Sequence, residues 1–262
     1  MFLSLCCTQE SGVSVISLSK QTRERECPFA NLEFAVHYEG KSRQKCPFHA
    51  HKLPQSNNIS GTVLLNVQNG KVQVSRAQSA LLRDIGGGDR IREFVTRFYA
   101  RAFEDKHIQP FFFADDGATA HARRLADWII QKMGEEGNPW SDSGRSGMRQ
   151  RSHFYAWHSY KRHPSLKGQR FKLDDCRVWM RLHFWAAREC GLAVHRALWA
   201  WYTAFIGHFI AIYERTAPAY AMESADWSAH PENIELYEKQ DKLMCDVVGK
   251  QSKPSAFSGI NV

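Results

Sequence analysis

The longest apolar run in the chain, Leu198 to Tyr213, covers 16 residues and contains His208. A membrane span needs about 20 such residues, so the run predicts a helix buried in a core. Its neighbours are also helical by spacing. Ile91, Phe94, Val95, Phe98, Tyr99 and Ala102 recur at helical intervals behind Asp89, an N-cap candidate, and Asp105 and Pro110 end that segment. A second helix is predicted over 117–133, with Gly134 and Gly137 as its stop, a short one over 149–158, and a third strong one over 173–190 that stops at Gly191. The apolar run itself predicts a helix over 194–215, ending before Pro218. Residues 159–170 read as a basic loop, and the polar tail carries one short helical stretch near 233–247.

Composition agrees with a globular chain. Of 262 residues, 43% are apolar and 24% charged, which excludes collagen-like and low-complexity classes. Nine prolines and seventeen glycines argue against a many-turned β protein. The sheet signal is confined to residues 61–75, where two short strands are predicted around Asn69-Gly70, a strong hairpin dipeptide. The reading is an all-α domain over 81–218, an N-terminal extension over 1–80 with little helical periodicity, and a C-terminal extension over 219–262.

Seven scattered cysteines form no short-spaced even framework, which fits reduced thiols in an intracellular, cytoplasmic setting. The first residues predict neither a secretory signal nor N-myristoylation, since residue 2 is Phe. The net charge of +8 comes from basic residues alternating with Trp, Phe and Asp. That is a pattern of solvated helix faces and weighs against nucleic acid as a partner. Cys27, Cys46, His49 and His51 offer zinc-type ligands, but without a CxxC pair the spacing argues against a zinc site there. Gly86, Gly87 and Gly88 form no phosphate loop, lacking both a preceding apolar strand and a following Lys-Ser/Thr.

Twelve histidines are present, and His121, His153, His158, His183 and His208 fall on apolar helical segments. Neutral imidazole suits iron, and a haem needs an apolar, aromatic-walled slot with an axial imidazole. Single histidines of this kind are more often packed core residues, and Tyr99, Trp179, Trp185 and Trp199 also read as packing anchors. His121 stands out because Ala118, Ala122 and Leu125 around it offer no polar partner.

Several stretches, taken in order, resemble the truncated haemoglobins. Gly86 to Gly88 lead into a helix bearing Phe94-Val95 and Phe98-Tyr99, as in that family's opening helix. Phe111, Phe112 and Phe113 precede a helix over 120–134 similar to its distal helix. Gly137-Asn138-Pro139 is similar to its Gly-Gly-Pro turn, and Trp179 lies in a late helix like the one carrying a pocket Trp. The likeness covers roughly residues 83–215.

The resemblance implies a globin-like fold and haem b. It places His121 at the distal-ligand position, Leu125 one turn on, and Phe113 or Phe112 against the porphyrin. Tyr99 and Trp179 become distal donors, and His153 the proximal ligand, with one extra residue before it. His158 and His163 compete for the proximal role, and the family's Pro-Phe stretch is absent. The implied activity is reversible binding of O₂, NO or CO. Nitric oxide dioxygenation or peroxidase-like chemistry stays open, as does an electron-transfer partner. The alternatives are a haem-free sensor or interaction module on the same fold, or a structural zinc site in the N-terminal flank.

Overall fold

The structure is a computed structural model, and residues 62–134 and 137–250 are described. These residues are mostly helical. A two-residue-stranded hairpin pairs Val67 with Val72 and Gln68 with Lys71. Its turn places Asn69 at φ 49° and Gly70 at φ 69°, the two left-handed positions of a primed hairpin turn. The expected hairpin is thus present, and both strands lie within the span read from the sequence.

Helix α1, Arg76–Asp84, follows in a segment whose periodicity was too short to read from sequence. Ser75 Oγ accepts from the Gln78 N–H at 3.2 Å, satisfying one of the orphan donors at the helix start. Leu81 and Leu82 bury its inner face. Helix α2, Gly88–Ala102, begins after Gly86 and Gly87, both at positive φ. The three glycines therefore serve as a sharp helix start. Helix α3 runs Gly117–Met133, α4 Pro139–Asp142 and α5 Met148–Trp157. Helix α6 covers Leu173–Glu189 and α7 Arg196–Ile210. The apolar run thus turns out of helix three residues earlier than its apolar character ends.

Helix α2 packs on α3 and α6, and α6 also carries α8, Ala221–Trp227. The core contains Phe94, Ile129, Ile130, Met133, Met180, Phe184, Trp201 and Phe205. A second apolar cluster joins Phe98, Ala102, Ile108, Val178, Leu182 and Ala186 to Trp227, Tyr237, Met244 and Val247. The C-terminal part is therefore more ordered than its polarity suggested. It holds two helices, α8 and α9 (Pro231–Lys239), rather than one. Arg181 ties it down through ion pairs to Glu223 and to Asp246 (2.6 Å). The Tyr237 hydroxyl donates to Asp105 at 3.0 Å. Among the described residues no helix is long and apolar enough to cross a membrane.

Gly134 closes α3 in the left-handed conformation, at φ 84°. Ser79 Oγ on α1 donates to its carbonyl at 2.9 Å, so α1 clamps the end of α3. A Cβ at 134 would collide with Val74 Cγ1 and meet Ser79 Oγ at 2.7 Å. Backbone strain and overpacking then add. Gly134→Ala is expected to lower stability by about 2–4 kcal/mol, read as a reduced urea midpoint with unchanged slope.

Candidate functional site

Two histidine clusters arise from the helices just described. The first gathers around His121 on α3. Its ring lies 5.1 Å from Phe103, 5.4 Å from Phe112 and 5.5 Å from Tyr99. Phe103 and Phe112 stack at 4.4 Å with nearly parallel planes. Tyr99 and Phe103 come together because residues four apart share one face at the end of α2. His121 does have polar partners, contrary to the expectation from its neighbours in sequence. Its Nδ1 lies 3.1 Å from the Gly117 carbonyl and 3.3 Å from Asp116. The omission is simple: a backbone carbonyl one turn earlier leaves no mark in side-chain patterning.

The second cluster surrounds His153 on α5. Its Nδ1 is 2.8 Å from the Arg149 carbonyl and 3.0 Å from the Tyr213 hydroxyl. The ring meets Tyr213 at 4.4 Å and Phe171 at 5.8 Å. Burial, helped by the nearby Arg149 charge, lowers the His153 pKa from 6.5 to about 4, so the ring is neutral near pH 7. A neutral imidazole carries one N–H, and a carbonyl oxygen only accepts. Nδ1 therefore holds the proton and Nε2 holds the lone pair. No hydrogen bond occupies Nε2 among the described residues, so this nitrogen is the one available to a metal.

His158 and His163 lack this setting. Both are exposed. His158 lies against Phe154, with Nδ1 2.8 Å from that residue's carbonyl, and His163 bonds to Ser165 two residues away.

The chain segment before α3 links the clusters. Phe112 belongs to the His121 group, whereas Phe111 meets Phe171 at 5.0 Å and Phe113 meets Tyr155 of α5 at 5.5 Å. Tyr99, Leu125, Phe171 and Trp179 are each only partly buried, yet each packs against both apolar cores. These incompletely covered side chains line the seam where the two cores meet. The Tyr99 hydroxyl and the Trp179 indole N–H make no hydrogen bond among the described residues. Burial raises the Tyr99 pKa, so its hydroxyl stays protonated and able to donate.

Sequence reading named His121, Tyr99, Phe112, Phe113, Leu125, Trp179 and His153, and missed Phe103, Phe171, Tyr213 and Arg149. The signal for Arg149 was its position one helical turn before His153. Phe171 was hidden by the basic loop preceding it, and Tyr213 by its place at the end of the apolar run. Cys27, Cys46, His49 and His51 lie outside the described residues. Among the described residues no three His, Cys, Asp or Glu side chains gather as a metal-binding group. An open groove of about 560 Å³ runs beside Trp185, Arg188, Ser228 and Ile234 and contains none of the residues named for the site. No family model matches the chain, and no curated protein and no solved structure matches it.

Trp179 is held in place by a buried neighbour. It stacks on His183 at 4.4 Å, and His183 in turn lies parallel to Tyr202, with Nε2 2.6 Å from its hydroxyl. Complete burial lowers the His183 pKa from 6.5 to about 3. The unfolded chain therefore binds a proton that the folded chain refuses. Stability is full above pH 6.5 and falls as pH drops from there toward 3. This single group should contribute a loss of ~1.4 kcal/mol for each pH unit across that window. Urea titrations at several pH values should show a shallower decline for His183→Phe.

Proposed function

We propose that this protein is a globin-like haem protein that reversibly binds a diatomic gas such as O₂ or NO. The observation that carries this reading is His153, a neutral, largely buried imidazole beside an aromatic seam, whose Nδ1 is tied to a backbone carbonyl and whose Nε2 has no hydrogen-bond partner among the described residues. The order of helices and the resemblance of residues 83–215 to the truncated haemoglobins support the same reading.

The residues fit a haem. One axial imidazole suffices for its iron, and His153 offers one in the required tautomer. The porphyrin faces need apolar walls, which Phe112, Phe113, Leu125 and Phe171 offer as partly covered side chains. A haem held there supplies an iron site at which small gases bind. The chain's own contribution is selective. The Nδ1–H bond to the Arg149 carbonyl orients the His153 ring. Tyr99 and Trp179 supply O–H and N–H donors that no described residue engages, for a polar ligand. His121, whose pKa burial lowers, is a neutral second imidazole on the Tyr99 side. The surrounding aromatic rings exclude water, which strengthens each of these contacts.

The first experiment is the visible absorption spectrum of purified, haem-reconstituted protein, oxidised and reduced. His153→Ala is expected to lose stoichiometric haem binding or to retain a weak complex restored by added imidazole. Unchanged spectra in that variant, set against a haem-binding wild type, would exclude His153 as the ligand. A wild type that takes up no haem would favour the haem-free module.

The distal donors have their own test. A hydrogen bond to a polar ligand in a dry pocket contributes on the order of 1.5–3 kcal/mol. Tyr99→Phe or Trp179→Phe should therefore speed O₂ release by roughly ten- to a hundredfold. CO release should change much less, because bound CO carries little charge on its outer oxygen. Stopped-flow displacement measures both rates.

A further inference from the structure

Arg149 is a largely buried cation held by aromatic rings rather than by an ion pair with any described residue. Among the described residues no carboxylate pairs with it. Its guanidinium instead sits on three aromatic faces, 4.5 Å from the ring centre of Phe209, 4.8 Å from Trp128 and 5.3 Å from Tyr213. Tyr213 spans the gap to the imidazole, with its hydroxyl 3.0 Å from His153 Nδ1. Phe171 braces both rings, at 5.7 Å from Tyr213 and 5.8 Å from His153.

We propose that Arg149 and Tyr213 are positioning residues that orient His153 as a weakly donating metal ligand and bias the bound metal toward its reduced state. This rests on the haem reading above and extends it to the choice between gas binding and peroxidase-like chemistry. The reasoning is electrostatic. A carboxylate accepting from Nδ1–H would draw the proton away and give the imidazole anionic character, making it a stronger donor. Here the two acceptors are a peptide carbonyl and a phenol oxygen, both uncharged. Arg149 adds a positive charge close to the ligand, paired with no carboxylate among the described residues, which opposes any further positive charge at the metal. A ferric centre carries one more positive charge than a ferrous one, so the pair favours the ferrous form. That form is the one that binds O₂ reversibly, whereas peroxidase-like turnover uses the ferric one.

The test uses the full chain reconstituted with haem, with the iron–histidine stretching frequency and the reduction potential as readouts. Tyr213→Phe keeps the ring and removes the hydroxyl, and is expected to shift the stretching frequency. Arg149→Met removes the charge and is expected to shift the ferric–ferrous equilibrium roughly tenfold toward ferric, ~59 mV lower for one electron. Arg149→Lys keeps a charge and should stay near the wild-type potential, which also covers the case in which the methionine variant does not fold. Arg151→Met, an exposed cation on the same helix, is the control and should change neither readout.

If wild type binds haem through His153 but Tyr213→Phe leaves the frequency unchanged, Tyr213 is not a positioning residue. A similar potential shift in Arg149→Met and Arg151→Met would reduce the effect to general surface charge and overturn the proposal. So would a potential unaltered in Arg149→Met, or one in Arg149→Lys that falls well below wild type. Failure of the wild type to bind haem would strike the underlying function instead, and is read directly from its spectrum.

Discussion

Helix α6 has almost no solvent face, and the arrangement of the other helices follows from that. Cys176, Val178, Met180, Leu182, Phe184, Ala186 and Ala187 are all buried, although they point around the whole helix. Burying one large apolar side chain contributes about 1.5–3 kcal/mol, so α6 must be covered on every side. Helix α2 covers one side and α8 another. The same helix carries residues of both apolar cores, which makes it the wall they share. Trp179 and His183 belong to it, and the parallel rings Trp179, His183 and Tyr202 run from the partly exposed seam into the core of α7. The seam and the core are thus one packing problem rather than two.

Charge is handled in two opposite ways. Toward the C-terminal part, buried guanidinium groups meet carboxylates: Arg177 and Arg181 share Glu223, and Arg181 reaches Asp246. Desolvating such charges is costly, and the gain from pairing largely offsets that cost. Losing one partner would leave the other buried and uncompensated, so the network holds the C-terminal part to one position on α6. Asp105 behaves similarly. Burial raises its pKa even though it accepts from two backbone N–H groups and from Tyr237. Around His153 the arrangement is reversed. Among the described residues Arg149 meets aromatic faces and a phenol rather than a carboxylate, and its charge helps to lower the His153 pKa.

The imidazoles illustrate how burial chooses chemistry. His121, His153 and His183 share the same side chain and all have lowered pKa values because burial disfavours the cation. Their remaining nitrogen differs. His183 uses Nε2 on Tyr202 and is a packing residue. His121 and His153 spend Nδ1 on carbonyls one turn earlier, and among the described residues neither Nε2 has a hydrogen-bond partner. His107 runs the other way. Burial lowers it, but Asp175 at 2.7 Å outweighs burial and raises it.

Local pattern alone determined the helical class, the Asn69-Gly70 hairpin, the limits of α3 at Gly117 and Met133, and the start of α6 at Leu173. These follow from period, glycine conformation and turn chemistry, all of which act within a few residues. The sequence also named most of the aromatic side chains at the seam, because apolar stripes show which faces turn inward. Only the tertiary structure decided which of the candidate histidines is largely buried among aromatic rings. His153, His158 and His163 are alike in a string of letters, but burial, the Tyr213 hydroxyl and the Arg149 guanidinium meet at His153 alone among the three. The C-terminal part was misjudged for the same reason. Its composition is polar, and Trp227, Tyr237, Met244 and Val247 acquire an inner face only once α6 is there to receive them.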